Sequence, residues 1–198
     1  MGAGDRANNS REGSLTMAGM TRSNRGNEPK ASVTTRVLGV DPGLGATGYA
    51  VVEPRLRGAF IVEAGLIRSG GSKVDFGVRL EVIHRGVLEI IDLFKPTAMA
   101  LEQVHSQVRH PRTSILMAHA RGVIVLAGAQ RGIPVFGYAA ARIKKTLTGS
   151  GRAPKEQVQR AIQVELGLDK LPEPHDVADA CAAAICHCQS QRNIQLLN

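Results

Sequence analysis

The sequence has little of what marks secreted or membrane proteins. It contains only three cysteines, and no stretch approaches the roughly 20 consecutive apolar residues that a membrane-spanning helix needs. The first residues, MGAGDRANNSREGS, lack the apolar core of a signal peptide. We therefore expect a cytoplasmic protein whose thiols are reduced.

The three cysteines are crowded into one apolar segment, CAAAICHC, as Cys181, Cys186 and Cys188. Free cysteine usually behaves as a small hydrophobic residue, so we expect these side chains to be buried in a helix. A zinc site that also uses His187 is the alternative. The spacing is not that of a standard CxxC pair, which disfavours zinc.

Acidic residues are also scarce relative to basic ones, since 17 Asp and Glu stand against 25 Lys and Arg and give a net charge of +8. Residues 1–35 supply only +2 of this charge, from five basic and three acidic side chains. The rest of the chain is therefore strongly basic. Such a surface attracts polyanions through phosphate neutralisation and counterion release, although many basic proteins bind no nucleic acid.

The composition changes along the chain at about residue 36. Residues 1–35 are rich in Gly, Asn, Ser and Arg and show no apolar periodicity, which predicts a disordered N-terminal tail. The chain has 198 residues and 43% hydrophobic content, enough for one domain with a real core. We assign that domain to residues 36–190 and a C-terminal tail to residues 191–198.

Apolar and β-branched runs separated by turn residues predict five strands: VLGVD, TGYAVVE, AFIVEAGLIRS, TAMALEQV, and the segment from Ile133 to Gly137. Helical spacing of apolar residues predicts five helices: Val74 to Phe94, Thr113 to Gln130, Ala139 to Leu147, Pro154 to Leu166, and His175 to Gln189. The order βββαβαβααα predicts an α/β domain with a mixed sheet of about five strands and helices on both faces.

Four acidic residues occupy positions from which they can meet. Asp41 ends the first strand, Glu102 ends a buried strand, and Asp176 and Asp179 lie on one face of a helix start. Each has an ordinary alternative. Asp41 can start a turn, Glu102 can pair with an Arg, and Asp176 and Asp179 can compensate the helix dipole.

A cluster of carboxylates suits one or two Mg²⁺ ions, because Mg²⁺ prefers hard oxygen ligands; Mn²⁺ can substitute. The chemistry that such a cluster favours is phosphodiester hydrolysis. One ion would activate the attacking water and the other would stabilise the leaving 3′ oxygen.

The segments VLGVDPGLGATGYAVVE, ALEQV, ARGV, PVFGYAAARIKKTLTGSGRAPKEQVQ and PHDVADACAAA resemble, in this order, the motifs of the RuvC family of Holliday-junction resolvases. The resemblance runs from Arg36 to about Gln189. It implies an RNase H-like fold, a homodimer, Mg²⁺, cleavage of four-way DNA junctions in recombination and repair, and partnership with the RuvA–RuvB branch-migration complex. The family's catalytic and metal-binding acids fall on Asp41, Glu102, Asp176 and Asp179.

Gly149 and Gly151 interrupt a basic stretch that runs from Arg142 to Lys155. The resemblance implies that Lys144 and Lys155, within this stretch, bind junction DNA. The loop after Glu102 departs from the family pattern, because an aromatic residue commonly follows EQV and this chain has a histidine. The predicted DNA-binding residues are Lys144, Lys145, Arg152, Lys155, His105, Arg109 and Arg112. A solvated surface is the alternative for the basic stretch and for His105.

Three other functions compete with junction cleavage. DPGLGATG is also similar to the first phosphate loop of actin-like ATPases, but those proteins need a second homologous domain that this chain has no room for. A sister RNase H-like nuclease acting on structured RNA would keep both the acids and the basic surface. A catalytically inactive DNA-binding module is disfavoured because all four acids are intact.

Overall fold

The structure, a computed structural model, describes residues 35–56, 58–103 and 111–195, with backbone only for residues 111–112 and 193–195. All five predicted strands and all five predicted helices are present in the predicted order. The predicted N-terminal tail lies almost entirely outside the described residues. The last helix continues to Gln195 and thus includes the first part of the segment that we assigned to a C-terminal tail.

The strands form one mixed sheet in the order β3-β2-β1-β4-β5. Strand β1 pairs with β2 antiparallel and with β4 parallel, and β4 pairs with β5 parallel. The first three strands therefore form the expected meander. The strand bounds are β1 Val37–Asp41, β2 Ala46–Pro54, β3 Ala59–Arg68, β4 Ala98–Glu102 and β5 Val135–Tyr138.

The helix bounds are α1 Phe76–Phe94, α2 Pro111–Gln130, α3 Ala140–Thr148, α4 Lys155–Leu166 and α5 His175–Gln195. Helix α1 begins two residues later than predicted because Asp75 caps it, its carboxylate accepting from the backbone N–H groups of Gly77 and Val78. It ends at Lys95, which adopts a left-handed conformation before Pro96.

Apolar side chains form a separate core on each face of the sheet. On one face, Leu38, Val40 and Met99 pack with residues of α1 and α2 such as Ile83 and Ile124. On the other face, Val37, Ala50 and Ala100 belong to a core with residues of α3, α4 and α5. The prediction of helices on both faces of a five-stranded mixed sheet is therefore confirmed.

Helix α5 lies unusually close to the sheet because two strand residues are glycines. A Cβ atom at Gly39 would lie 2.0 Å from the backbone oxygen of Ala180, and one at Gly48 would lie 2.0 Å from that of Asp176. Any side chain at either position would push the helix away. These two glycines therefore fix where the start of α5 meets β1 and β2.

The cysteines are free and buried on α5, as predicted. Burial raises the pKa of Cys181 to about 12, so its thiol stays protonated at neutral pH. His187 is also buried, with its Nδ1 atom 2.7 Å from the hydroxyl of Tyr138. The segment therefore serves as part of the core. In the described part of the chain, no helix has the length and apolar character to cross a membrane.

Candidate active site

Two of the predicted acids are brought together by strand pairing alone. Asp41 is the last residue of β1 and Glu102 is the last residue of β4. These strands are parallel neighbours, with Val40 opposite Leu101 in the register. Both carboxylates therefore emerge at the same edge of the sheet, and both residues are half-buried there.

The other two acids are brought to this edge by the close approach of α5. Gly48 pairs with Asp41 across β1 and β2, and the backbone of Asp176 rests on Gly48. The first turn of α5 is therefore seated beside Asp41. Asp179 follows Asp176 one helical turn later and lies on the same face.

The electrostatics of Asp41 show that the other three carboxylates act on it. The pKa of Asp41 is raised from 3.8 to about 7, first by burial and then by the negative charges of Asp179, Glu102 and Asp176. Lys155 opposes this rise. A carboxyl group with a pKa this far from its ordinary value is typical of a functional site rather than of a simple turn residue.

Asp176 also lies in the first turn of α5, where its charge compensates the helix dipole. Compensation of the helix dipole, the alternative role of Asp176, is thus compatible with its place in the cluster. Asp179 has a partner of its own, since its Oδ2 atom lies 3.6 Å from Nζ of Lys155. Both side chains are partly exposed, so this ion pair stabilises the fold only slightly.

The chemistry of the cluster fits a divalent cation. Among the described residues, no three Asp, Glu, His or Cys side chains already converge on a common point. However, three other carboxylates lie within electrostatic reach of Asp41, whose pKa is raised by burial and by their negative charge. Hard oxygen donors with excess negative charge are what Mg²⁺ binds in proteins.

Of the predicted basic residues that the structure describes, only Lys155 contacts one of the acids. Lys155, the first residue of α4, contacts Asp179 and lowers the pKa of Asp41, so it belongs to the site. Lys144 and Lys145 lie on α3, and Arg152 lies in the connection that follows. In the described chain none of these three forms an ion pair with an acid, and Lys145 and Arg152 are exposed.

The remaining predicted contacts cannot be placed. His105 and Arg109 lie outside the described residues, and only the backbone of Arg112 is described, in the first turn of α2. Their predicted contacts with DNA remain predictions.

Sequence reasoning did not identify the residues that position the acids. Besides Gly39 and Gly48, Gln159 is buried on α4 and its Nε2 atom lies 3.1 Å from Nδ1 of His175, the residue before Asp176. This hydrogen bond ties the start of α5 to α4, the helix that carries Lys155. A buried glutamine has no signature in one sequence, although a glycine inside a strand does indicate close approach by another backbone.

Comparison with known proteins agrees with this geometry. The family model described as "Crossover junction endodeoxyribonuclease RuvC" matches residues 37–187. A protein of that name from Rhodopirellula baltica is 50% identical over 153 residues, which are 76% of this chain and 84% of the relative. Another, from Caldanaerobacter subterraneus, is 38% identical over 169 residues, covering 82% and 97% of the two chains.

The fold is also found among solved structures. Thermus thermophilus RuvC is 30% identical and superposes with a TM-score of 0.74 over 80% of this chain and 96% of that one. The same protein in complex with a Holliday junction substrate gives a TM-score of 0.75. The predicted RNase H-like fold is confirmed by this match. The chain belongs to the RuvC family of crossover junction endodeoxyribonucleases.

Proposed function

We propose that this protein resolves four-way DNA junctions by paired, symmetric hydrolytic nicks. The observation that carries the proposal is the cluster of Asp41, Glu102, Asp176 and Asp179 at one edge of the sheet, with the pKa of Asp41 raised to about 7 by burial and by the charges of the other three acids. It occurs in a chain that belongs to a family of junction endonucleases, and a family member has been solved with a Holliday junction substrate.

The four acids would hold one or two Mg²⁺ ions, and Mn²⁺ would be expected to substitute. When bound, such ions polarise the scissile phosphate and lower the pKa of the attacking water. The excess negative charge around Asp41 supports this assignment, because divalent cations would neutralise it.

The protein's own side chains supply charge and position. Lys155 is held beside the cluster through Asp179, at 3.6 Å, so its ammonium group can bind a phosphate that enters the site. Lys144, Lys145 and Arg152 extend the positive charge along α3 and the connection after it. Phosphate contacts of this kind orient the junction without reading its sequence.

Paired nicks require two such sites, which a two-fold homodimer would provide. Helix α2 supports this proposal, since it exposes Ile115 by 57%, Leu126 by 49% and Leu116 by 39%. Large apolar side chains exposed on a helix that already packs on the sheet through another face indicate a second contact surface. The RuvA–RuvB branch-migration complex remains the proposed partner on the strength of family membership.

The test is a cleavage assay on three substrates of equal length: a four-way junction, a linear duplex and a structured RNA, each with Mg²⁺ or with EDTA. We expect paired nicks in the junction alone, and only with Mg²⁺. Preferential cleavage of the RNA would favour the sister-nuclease alternative. Tight junction binding without cleavage in any metal would favour a non-catalytic module.

A further inference from the structure

Two arginine side chains near the acidic cluster each contain a buried nitrogen atom that makes no hydrogen bond. The Nε atoms of Arg79 on α1 and Arg121 on α2 are buried and have no hydrogen-bond partner. Both side chains are half-buried. A buried polar group without a partner is costly, and for a charged group the cost is larger. Such an atom in a folded protein needs an explanation.

The other arginines within the described ranges are either exposed or have hydrogen-bond partners. Most are exposed. The two that are half-buried have partners: Arg36 donates from Nε to Oε1 of Glu53 at 2.9 Å, and Arg192 donates to the backbone carbonyls of Arg55 and Gly58. Among the half-buried arginines of the described ranges, only Arg79 and Arg121 therefore have a buried Nε atom without a hydrogen-bond partner.

Both guanidinium groups flank the edge of the sheet where the acids lie. Nη2 of Arg79 is 3.8 Å from where a Cβ atom of Gly45 would lie, in the turn that follows Asp41. Nη2 of Arg121 is 3.3 Å from the corresponding point at Gly137. Gly137 pairs with Leu101, the residue before Glu102.

These arginines lie on the opposite side of the sheet from Lys155. Helices α1 and α2 pack on one face, whereas α4 and the start of α5 pack on the other. Cations on both sides of a carboxylate cluster suit a substrate whose negative charge extends past the cluster in both directions. A DNA strand is such a substrate, since it carries a phosphate at every nucleotide.

We propose that Arg79 and Arg121 form a phosphodiester-binding pair that holds the DNA backbone on the α1–α2 side of the active site. The proposal rests on the proposed function and adds a second set of phosphate contacts, distinct from those of α3 and α4. Each Nε is buried, so a bound phosphate would be held through the Nη donors of the guanidinium, and its negative charge would balance the positive charge of the partly buried group.

A purely structural role makes a different prediction. Arginine stems often cover apolar surface, and truncating them then lowers stability through lost packing. Such a loss would not change how many ions are released when DNA binds. The salt dependence of binding separates the two roles.

The experiment measures anisotropy of a labelled four-way junction with full-length protein in EDTA, at about 50 to 200 mM KCl. The variants are Arg79→Gln, Arg121→Gln and the charge-preserving Arg79→Lys and Arg121→Lys. Arg131→Gln is the matched control, because Arg131 lies at the far end of α2 in an exposed pair with Asp92. Thermal melting of each variant records stability separately.

We expect each Gln variant to reduce the slope of log affinity against log salt by about 0.9, with partial recovery in the Lys variants. The Arg131→Gln protein should keep the wild-type slope. A wild-type slope in both Gln variants, whatever their melting temperatures, would overturn the inference while junction cleavage by the wild type stood. If the wild type itself neither binds nor cuts the junction, the proposed function fails and this inference falls with it.

Discussion

Replacing Asp41 with Asn should make the metal-free protein more stable at neutral pH. The wild-type carboxylate must ionise while partly buried and beside three other acids, which raises its pKa from 3.8 to about 7. Asn keeps nearly the same shape and carries no charge. The substitution therefore removes a repulsion that the native fold otherwise tolerates.

The pH dependence of this effect follows from where the proton is bound. Between pH 3.8 and about 7 the native protein holds on Asp41 a proton that the unfolded chain has already released. The contribution of Asp41 to wild-type stability therefore falls as the pH rises through that window. The Asn variant lacks this dependence. The difference in the free energy of unfolding between the two proteins should therefore be small near pH 4 and largest at pH 8.

The magnitude can be bounded from the same pKa. Each pKa unit corresponds to about 1.4 kcal/mol, so the rise from 3.8 to about 7 gives an upper limit of about 4 kcal/mol. Screening by solvent and salt lowers this upper limit. We expect Asp41→Asn to raise the free energy of unfolding by about 1 to 3 kcal/mol. For a chain of this size that is a rise in Tm of roughly 2 to 10 °C.

The assay is thermal or urea unfolding in EDTA at several pH values. Asp92→Asn is the control, because Asp92 is exposed and its pKa is lowered by a hydrogen bond from Arg131. That substitution should give no gain at pH 8. Addition of Mg²⁺ should stabilise the wild type more than Asp41→Asn. An Asp41→Asn protein that melts at or below the wild-type temperature in EDTA at pH 8 would refute the reasoning.

Four further outcomes are expected. Glu102→Gln should abolish cleavage and leave junction affinity in EDTA nearly unchanged, and cleavage at the wild-type rate would contradict the metal assignment. Lys144→Ala and Lys155→Ala should each weaken binding to every junction sequence and reduce the salt slope by about one, as measured by titration with KCl. A mixed dimer with one Glu102→Gln subunit should nick one strand and leave the junction unresolved, whereas paired nicks from it would argue against two sites. Gly39→Ala should destabilise the fold by at least about 2 kcal/mol, because its Cβ would lie 2.0 Å from the oxygen of Ala180; Gly122→Ala, with open space around it, should be neutral or slightly stabilising.

Much of the fold could be predicted because its local signals are strong. The apolar run that ends at Glu102 and the alternation of strands and helices fix the element order. Element ends were less certain, since they depend on single contacts. Helix α1 starts where Asp75 supplies a cap, two residues after the predicted start.

The site was only partly predictable. Each acid could be proposed from its place at the end of a strand or the start of a helix, and family resemblance added their shared role. Their proximity depends on Gly48, which lets the backbone of Asp176 reach the strand pair. Contacts of that kind join residues far apart in the chain, so no local pattern reports them. The same holds for Arg79 and Arg121, because the burial of their unpartnered Nε atoms is visible only in three dimensions.

The features that assemble the site work against the stability of the fold. Burial and the negative charges of three neighbouring acids raise the pKa of Asp41, so its ionised form destabilises the fold. On the other side of the sheet, the buried Nε atoms of Arg79 and Arg121 have no hydrogen-bond partner. Groups of both charge signs are therefore held at a cost within one region. A cation between the carboxylates and a phosphate backbone beside the arginines would relieve both costs together. Binding of metal and of DNA should therefore reinforce each other, because each ligand lowers the electrostatic penalty that the other meets.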